Sequence, residues 1–126
     1  MKNLFFILIL SLMLGACHSR SNNTKDATGT YKGVLPCADC EGISTELILN
    51  SDSTFIKKTM YLGKDSETII EESGTYTWDK SGKIVLKNLN DGPNKYQIGD
   101  IGLVQLDMEG NTIVGELADK YVLIKQ

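Results

Sequence analysis

The sequence predicts an all-β domain, a small up-and-down antiparallel meander of about eight strands that closes into a barrel. Three observations carry this expectation. Short apolar or alternating segments rich in Tyr, Ile, Val and Thr recur along the chain with no long 3.6-residue stripe, which is the pattern of half-buried strands rather than helices. Clusters of Asn, Asp, Ser and Gly separate these segments, each able to turn the chain locally. Connections this short place successive strands side by side, and about eight in that order can close on themselves, which removes the exposed edges.

In chain order, residues 1–16 come first. Lys2 supplies a positive charge, Leu4 to Leu14 an apolar run, and Gly15 and Ala16 the small residues that precede Cys17. This is the pattern of an export signal. The run is well short of the roughly 20 residues that a spanning helix needs, so a permanent transmembrane anchor is not expected. Leu14-Gly15-Ala16-Cys17 resembles the lipobox of bacterial lipoproteins, which implies that Cys17 is lipidated and becomes the new N-terminus. Several acyl chains give durable attachment where a single chain binds only marginally. Residues 17–28, reading HSRSNNTKDAT after Cys17, have almost no apolar content and are expected to form a flexible tether. His18, the one histidine, falls in this tether and is expected to be solvated.

The remainder, 29–126, is of single-domain length. Strands are expected near Thr30–Leu35, Ile43–Leu49, Thr54–Leu62, Thr68–Trp78, Ile84–Leu89, Lys95–Ile98, Leu103–Leu106 and Tyr121–Lys125. NSDST at Asn50, DKSGK at Asp79 and DMEGN at Asp107 put an Asx residue at a strand end, and the last two add a glycine three positions later. These are hairpin turns. If the third and fourth strands turn about Lys64 and Asp65, Lys57 faces Glu72 and Lys58 faces Glu71, and each such pair contributes about 0.2–1 kcal/mol. Ser73-Gly74 interrupts the fourth segment and suggests a bulge or sharp bend. Alternation assigns Tyr31, Leu35, Ile43, Leu47, Leu49, Tyr76, Trp78, Ile84, Leu86, Tyr96, Ile98, Tyr121 and Leu123 to the interior. An eight-stranded barrel is just wide enough to be filled by such side chains or to hold one small ligand.

The formal charge is −3, and −4 once Lys2 leaves with the signal. No basic patch suggests nucleic acid. With Cys17 assigned to lipid, Cys37 and Cys40 remain, in the stretch PCADCEG between the first two strands. In an oxidising envelope they are candidates for a disulfide. A thioredoxin-type centre would need a helix N-terminus to lower the thiol pKa; none is expected, and Asp39 and Glu41 oppose thiolate formation. Structural zinc takes four ligands, whereas this domain has one cysteine pair and no histidine. Soft thiolates select copper(I), so Cys37 and Cys40 are the candidate metal ligands, with Met60 or Met108 as distant third donors. The alternative is a structural Cys37–Cys40 disulfide, which contributes only about 2 kcal/mol across so short a loop. No organic cofactor is expected. Nor is an enzyme, because the domain lacks a histidine or other obvious group to activate a thiol.

GTYKGVLPCADCEGI from Gly29, YLG at Tyr61, GTYTW at Gly74 and LDMEGN at Leu106 together resemble the N-terminal domain of the NlpE-type copper-resistance outer-membrane lipoproteins. The resemblance spans nearly all of the mature domain, and Cys37 and Cys40 map onto its cysteine pair. It implies a lipocalin-like barrel and attachment through the lipidated Cys17, at the periplasmic face of the outer membrane. It also implies a part in copper tolerance and in envelope-stress signalling to a sensor kinase. The chain ends at KYVLIKQ without the second, OB-like domain of longer members, so roles assigned to that domain are not expected here. The rival reading is a lipocalin-like carrier of a small apolar ligand with structural cysteines, and it predicts a sizeable apolar cavity.

Overall fold

A computed structural model describes residues 25–65 and 67–126; the export signal, Cys17 and His18 lie outside the described residues. Eight strands follow one another in space as in sequence: β1 (Gly29–Leu35), β2 (Gly42–Leu49), β3 (Thr54–Leu62), β4 (Ile70–Trp78), β5 (Ile84–Leu86), β6 (Lys95–Ile98), β7 (Gly102–Gln105) and β8 (Val122–Lys125). Every neighbouring pair is antiparallel, and β8 returns to β1 through Tyr31–Lys125 and Lys32–Ile124. The expected meander is therefore a closed barrel. A short 3-10 turn, Ala118–Lys120, precedes β8.

Strand ends differ from expectation for local reasons. β5 stops at Leu86 rather than Leu89: the Leu86 amide still donates to the Asn94 carbonyl across the ladder (2.8 Å), but Asn88 adopts a positive φ of 68°, which turns the chain away from the sheet. β4 starts at Ile70 rather than Thr68, where β3 no longer offers a partner beyond Thr59. Leu106 leaves β7 and bridges Thr112 instead.

The charge-based register is observed: Lys57 faces Glu72 and Lys58 faces Glu71. Lys58 belongs to an outer row in which Glu46 lies 3.2 Å from Lys32 and 4.0 Å from Lys58. The turns are built as their residues dictate. Asp79 Oδ1 accepts from the amides of Ser81 and Lys83 (both 2.9 Å), and Asp107 Oδ1 from those of Glu109 (2.9 Å) and Asn111 (2.8 Å). Gly74 causes no bulge, since the β3–β4 register runs through it without a slip. Its reason is close approach: a β-carbon there would strike the Lys87 carbonyl oxygen and crowd the Phe55 ring.

The core runs from Ala27 and Tyr31 through Leu47, Leu49, Phe55, Tyr76 and Ile84 to Tyr96, Leu103 and Leu123. Ordered packing thus begins before Gly29, inside the segment expected to be tether, and the Tyr31 hydroxyl donates to the Ala27 carbonyl (2.7 Å). Two expected interior residues are not buried: Trp78 is 38 % and Ile98 37 % exposed. Both share the inner face with buried neighbours, but they end β4 and β6, where no further layer covers them. Ile43 and Tyr121 are half-buried.

Candidate functional site

One end of the barrel carries the tight turns after β2, β4 and β6. The other end carries the longer connections after β1, β3, β5 and β7. The cysteine loop sits at this second end. Pro36 has no amide hydrogen to continue the ladder, and residues 38–41 are a series of bends before β2 begins at Gly42. As expected, no helix forms around the pair.

Cys37 and Cys40 are joined, with S–S 2.07 Å and Cα–Cα 5.4 Å, a span ordinary for a disulfide. Asp39 Oδ1 lies 3.4 Å from Cys37 Sγ. The Sγ of Cys37, the Sγ of Cys40 and an Asp39 carboxylate oxygen all fall within 4.8 Å of one another, and the loop is half-buried to exposed. The acidic neighbour has a counterion that the sequence does not reveal. Lys64 Nζ is 3.4 Å from Asp39 Oδ2 and also stands over the Tyr61 ring (5.6 Å). A second tie joins the same segments, from the Glu41 amide to the Leu62 carbonyl (3.1 Å). The β3–β4 turn therefore braces the cysteine loop and offsets its negative charge.

The two methionines stand apart from this arrangement. Met60 lies opposite Ser44, on the outer side of β3, because Thr59 and Tyr61 face the lumen. Met108 is 61 % exposed in a turn whose carbonyls accept from Lys95 (Met108 O, 3.3 Å) and Lys83 (Gly110 O, 2.6 Å), which folds it over β5 and β6. Neither position suits a third donor to Cys37 and Cys40.

The lumen is filled only in part, and the wall of the remaining space is mixed, with apolar residues predominating. Below, Phe55, Leu49, Tyr76 and Ile84 fill it. Above, near the cysteine loop, a cavity of about 440 Å³ is walled partly by Thr45, Lys57, Glu72 and Gln105 and partly by Leu35, Ile43 and Ile70. Thr45, Lys57 and Gln105 are all buried. Burial pushes the Lys57 ammonium pKa down, and the Glu72 charge partly restores it. Burial likewise raises the Tyr96 phenol, with the Glu72 charge adding to it. The sequence held a signal for this inner polar layer: Lys57 and Thr59 keep the alternation of Phe55, so they share its inward face.

A family model described as the NlpE N-terminal domain matches residues 31–116. Over 86 residues the chain is 40 % identical to Lipoprotein NlpE of Escherichia coli K12, covering 67 % of this chain and 36 % of that one. It is 29 % identical over 109 residues to the uncharacterised protein YdhF of Bacillus subtilis, covering 86 % and 43 % respectively. The chain thus spans less than half the length of both relatives. Among crystal structures, a Shewanella oneidensis protein assigned as a lipoprotein superposes with a TM-score of 0.70 at 50 % identity, over 80 % of this chain and 90 % of the other. The Cpx pathway activator NlpE of E. coli superposes with a TM-score of 0.58 at 37 % identity, over 70 % and 46 %.

Proposed function

This chain belongs to the NlpE N-terminal domain family, and from that membership we propose that it is a lipid-anchored envelope protein whose Cys37–Cys40 loop serves copper tolerance and envelope-stress signalling. Residues 1–16 are the export signal, Cys17 carries the lipid, and 17–28 leads to the barrel of 29–126. The destination is the periplasmic face of the outer membrane, and the partner is an envelope sensor kinase. The reading is non-catalytic, in keeping with a domain that has no histidine.

The observation that carries this reading is the half-buried cysteine pair on a braced loop at the barrel mouth, with donor atoms clustered within 4.8 Å. As a dithiol the pair supplies soft ligands for copper(I). As a disulfide it cannot, because each sulfur has given up its proton and an electron to an envelope thiol oxidant. Metal binding and oxidation are then competing fates of the same two atoms. In the disulfide form Lys64 holds the Asp39 carboxylate through Oδ2, while Oδ1 lies 3.4 Å from Cys37 Sγ.

Anaerobic copper(I) titration of the reduced protein against a competing chelator tests the proposal. One equivalent should bind tightly to the wild type and be lost in Cys37→Ser/Cys40→Ser. Equal binding by the two proteins removes the copper loop.

A further inference from the structure

The upper lumen holds a second arrangement of polar groups, built without the cysteines and independent of the copper reading. Lys57 is only 8 % exposed, and it lies on the wall of the cavity. Among the described residues no carboxylate comes within 4.0 Å of its ammonium. Its cross-strand partner is Glu72. That carboxylate, however, accepts a 3.0 Å hydrogen bond from the Asn90 amide of the β5–β6 connection, so the two charges face one cavity without meeting. Gln105, 6 % exposed, lines the same space. Tyr96 pairs with Gln105 across the β6–β7 ladder and is fully buried, and its hydroxyl has no partner among the described residues.

Buried charges are normally paired and buried hydroxyls normally hydrogen-bonded, because leaving either group bare forfeits its hydration without replacement. Here a largely buried ammonium with no carboxylate in contact opens on a cavity of about 440 Å³, a size typical of small-molecule sites, and the unpartnered Tyr96 hydroxyl belongs to the residue paired with Gln105 of its wall. We propose that this lumen binds a small organic zwitterion of amino-acid or dipeptide size, its carboxylate on Lys57, its ammonium toward Glu72 and its apolar part against Leu35, Ile43 and Ile70.

The alternatives fit the lining less well. An apolar molecule would leave Lys57 bare. A phosphate-like dianion would face Glu72 and the Asp91 carboxylate at the rim. A simple carboxylate would satisfy only the lysine. The zwitterion matches a wall that carries one charge of each sign, and it brings the polar atoms that the barrel itself does not supply.

The test uses the full chain in lipid nanodiscs and three matched probes: glycyl-leucine, its N-acetyl form without the ammonium, and its C-terminal amide without the carboxylate. Saturation-transfer NMR titrations read the binding. Glycyl-leucine should bind best, with each truncated probe weaker by about tenfold or more, the scale of one charge-assisted hydrogen bond. Lys57→Met should lower glycyl-leucine affinity by a similar factor, and Glu72→Gln should bring it to the level of the N-acetyl probe. Cys37→Ser/Cys40→Ser should bind like the wild type. Absence of saturable glycyl-leucine binding overturns the proposal. So does unchanged affinity in Lys57→Met, or equal binding of all three probes.

Discussion

Opening the Cys37–Cys40 bond should leave the barrel folded. The bond joins residues three apart in sequence. The entropy that a crosslink removes from the unfolded chain grows only with the logarithm of loop length, and for so small a loop it gives about 2 kcal/mol. Neither cysteine belongs to a strand. The Glu41–Leu62 and Asp39–Lys64 ties that hold the loop do not pass through the sulfurs. Barrel closure rests instead on the buried cluster, where Leu47→Ala alone should cost about 2–5 kcal/mol. For a domain near 100 residues, 2 kcal/mol corresponds to a fall in Tm of about 8–10 °C. Scanning calorimetry of Cys37→Ser/Cys40→Ser against the oxidised wild type should therefore show one cooperative transition, lowered by no more than this. A missing transition, or a fall twice as large, would mean that the disulfide holds the barrel closed, and a redox or metal switch in the loop could not then operate on a folded protein.

Three further outcomes are expected. Lys57→Met should stabilise the protein by about 1–4 kcal/mol in urea titrations, since a buried unpaired charge gives way to an apolar side chain of similar length. Because burial lowers the folded-state pKa of Lys57 below 10.5, the unfolded chain binds the proton more tightly. The wild-type deficit should therefore be full at neutral pH and shrink as pH rises toward 10.5; a difference between the two proteins that stays constant over this range would contradict the assignment. Gly102→Val places a β-carbon against the Leu123 carbonyl on the β7–β8 seam, and should cost about 1–3 kcal/mol or more, with wild-type stability refuting that close approach. Intact-mass spectrometry of the mature protein should find an N-terminal Cys17 bearing acyl chains, and an unmodified thiol there would rule out the lipid anchor.

Much of the fold was legible because its determinants are local. Asp79 and Asp107 cap their own turns, and Lys57, Lys58, Glu71 and Glu72 are close enough in sequence for one hairpin to set their register. The cysteine loop was legible for the same reason, since Cys37 and Cys40 need only each other. Lys64 as the counterion of Asp39 was not, because 25 positions separate them and only the β2–β3 pairing brings them together. Trp78 and Lys57 mark a second boundary. Alternation places Trp78 on the inner face but does not say that the barrel ends beside it. It places Lys57 there too, although composition argues for solvent.

By itself, then, the sequence determined the strand order, the turns, the family likeness and the position of the sulfur pair, all features that a few neighbouring residues encode through backbone period and side-chain chemistry. The tertiary structure alone decided how deep the apolar filling reaches and that a lysine and a glutamate share the remaining lumen without pairing. Those depend on how the closed sheet shapes one open-mouthed lumen, where burial changes the energy of a charge far more than any neighbour in sequence does.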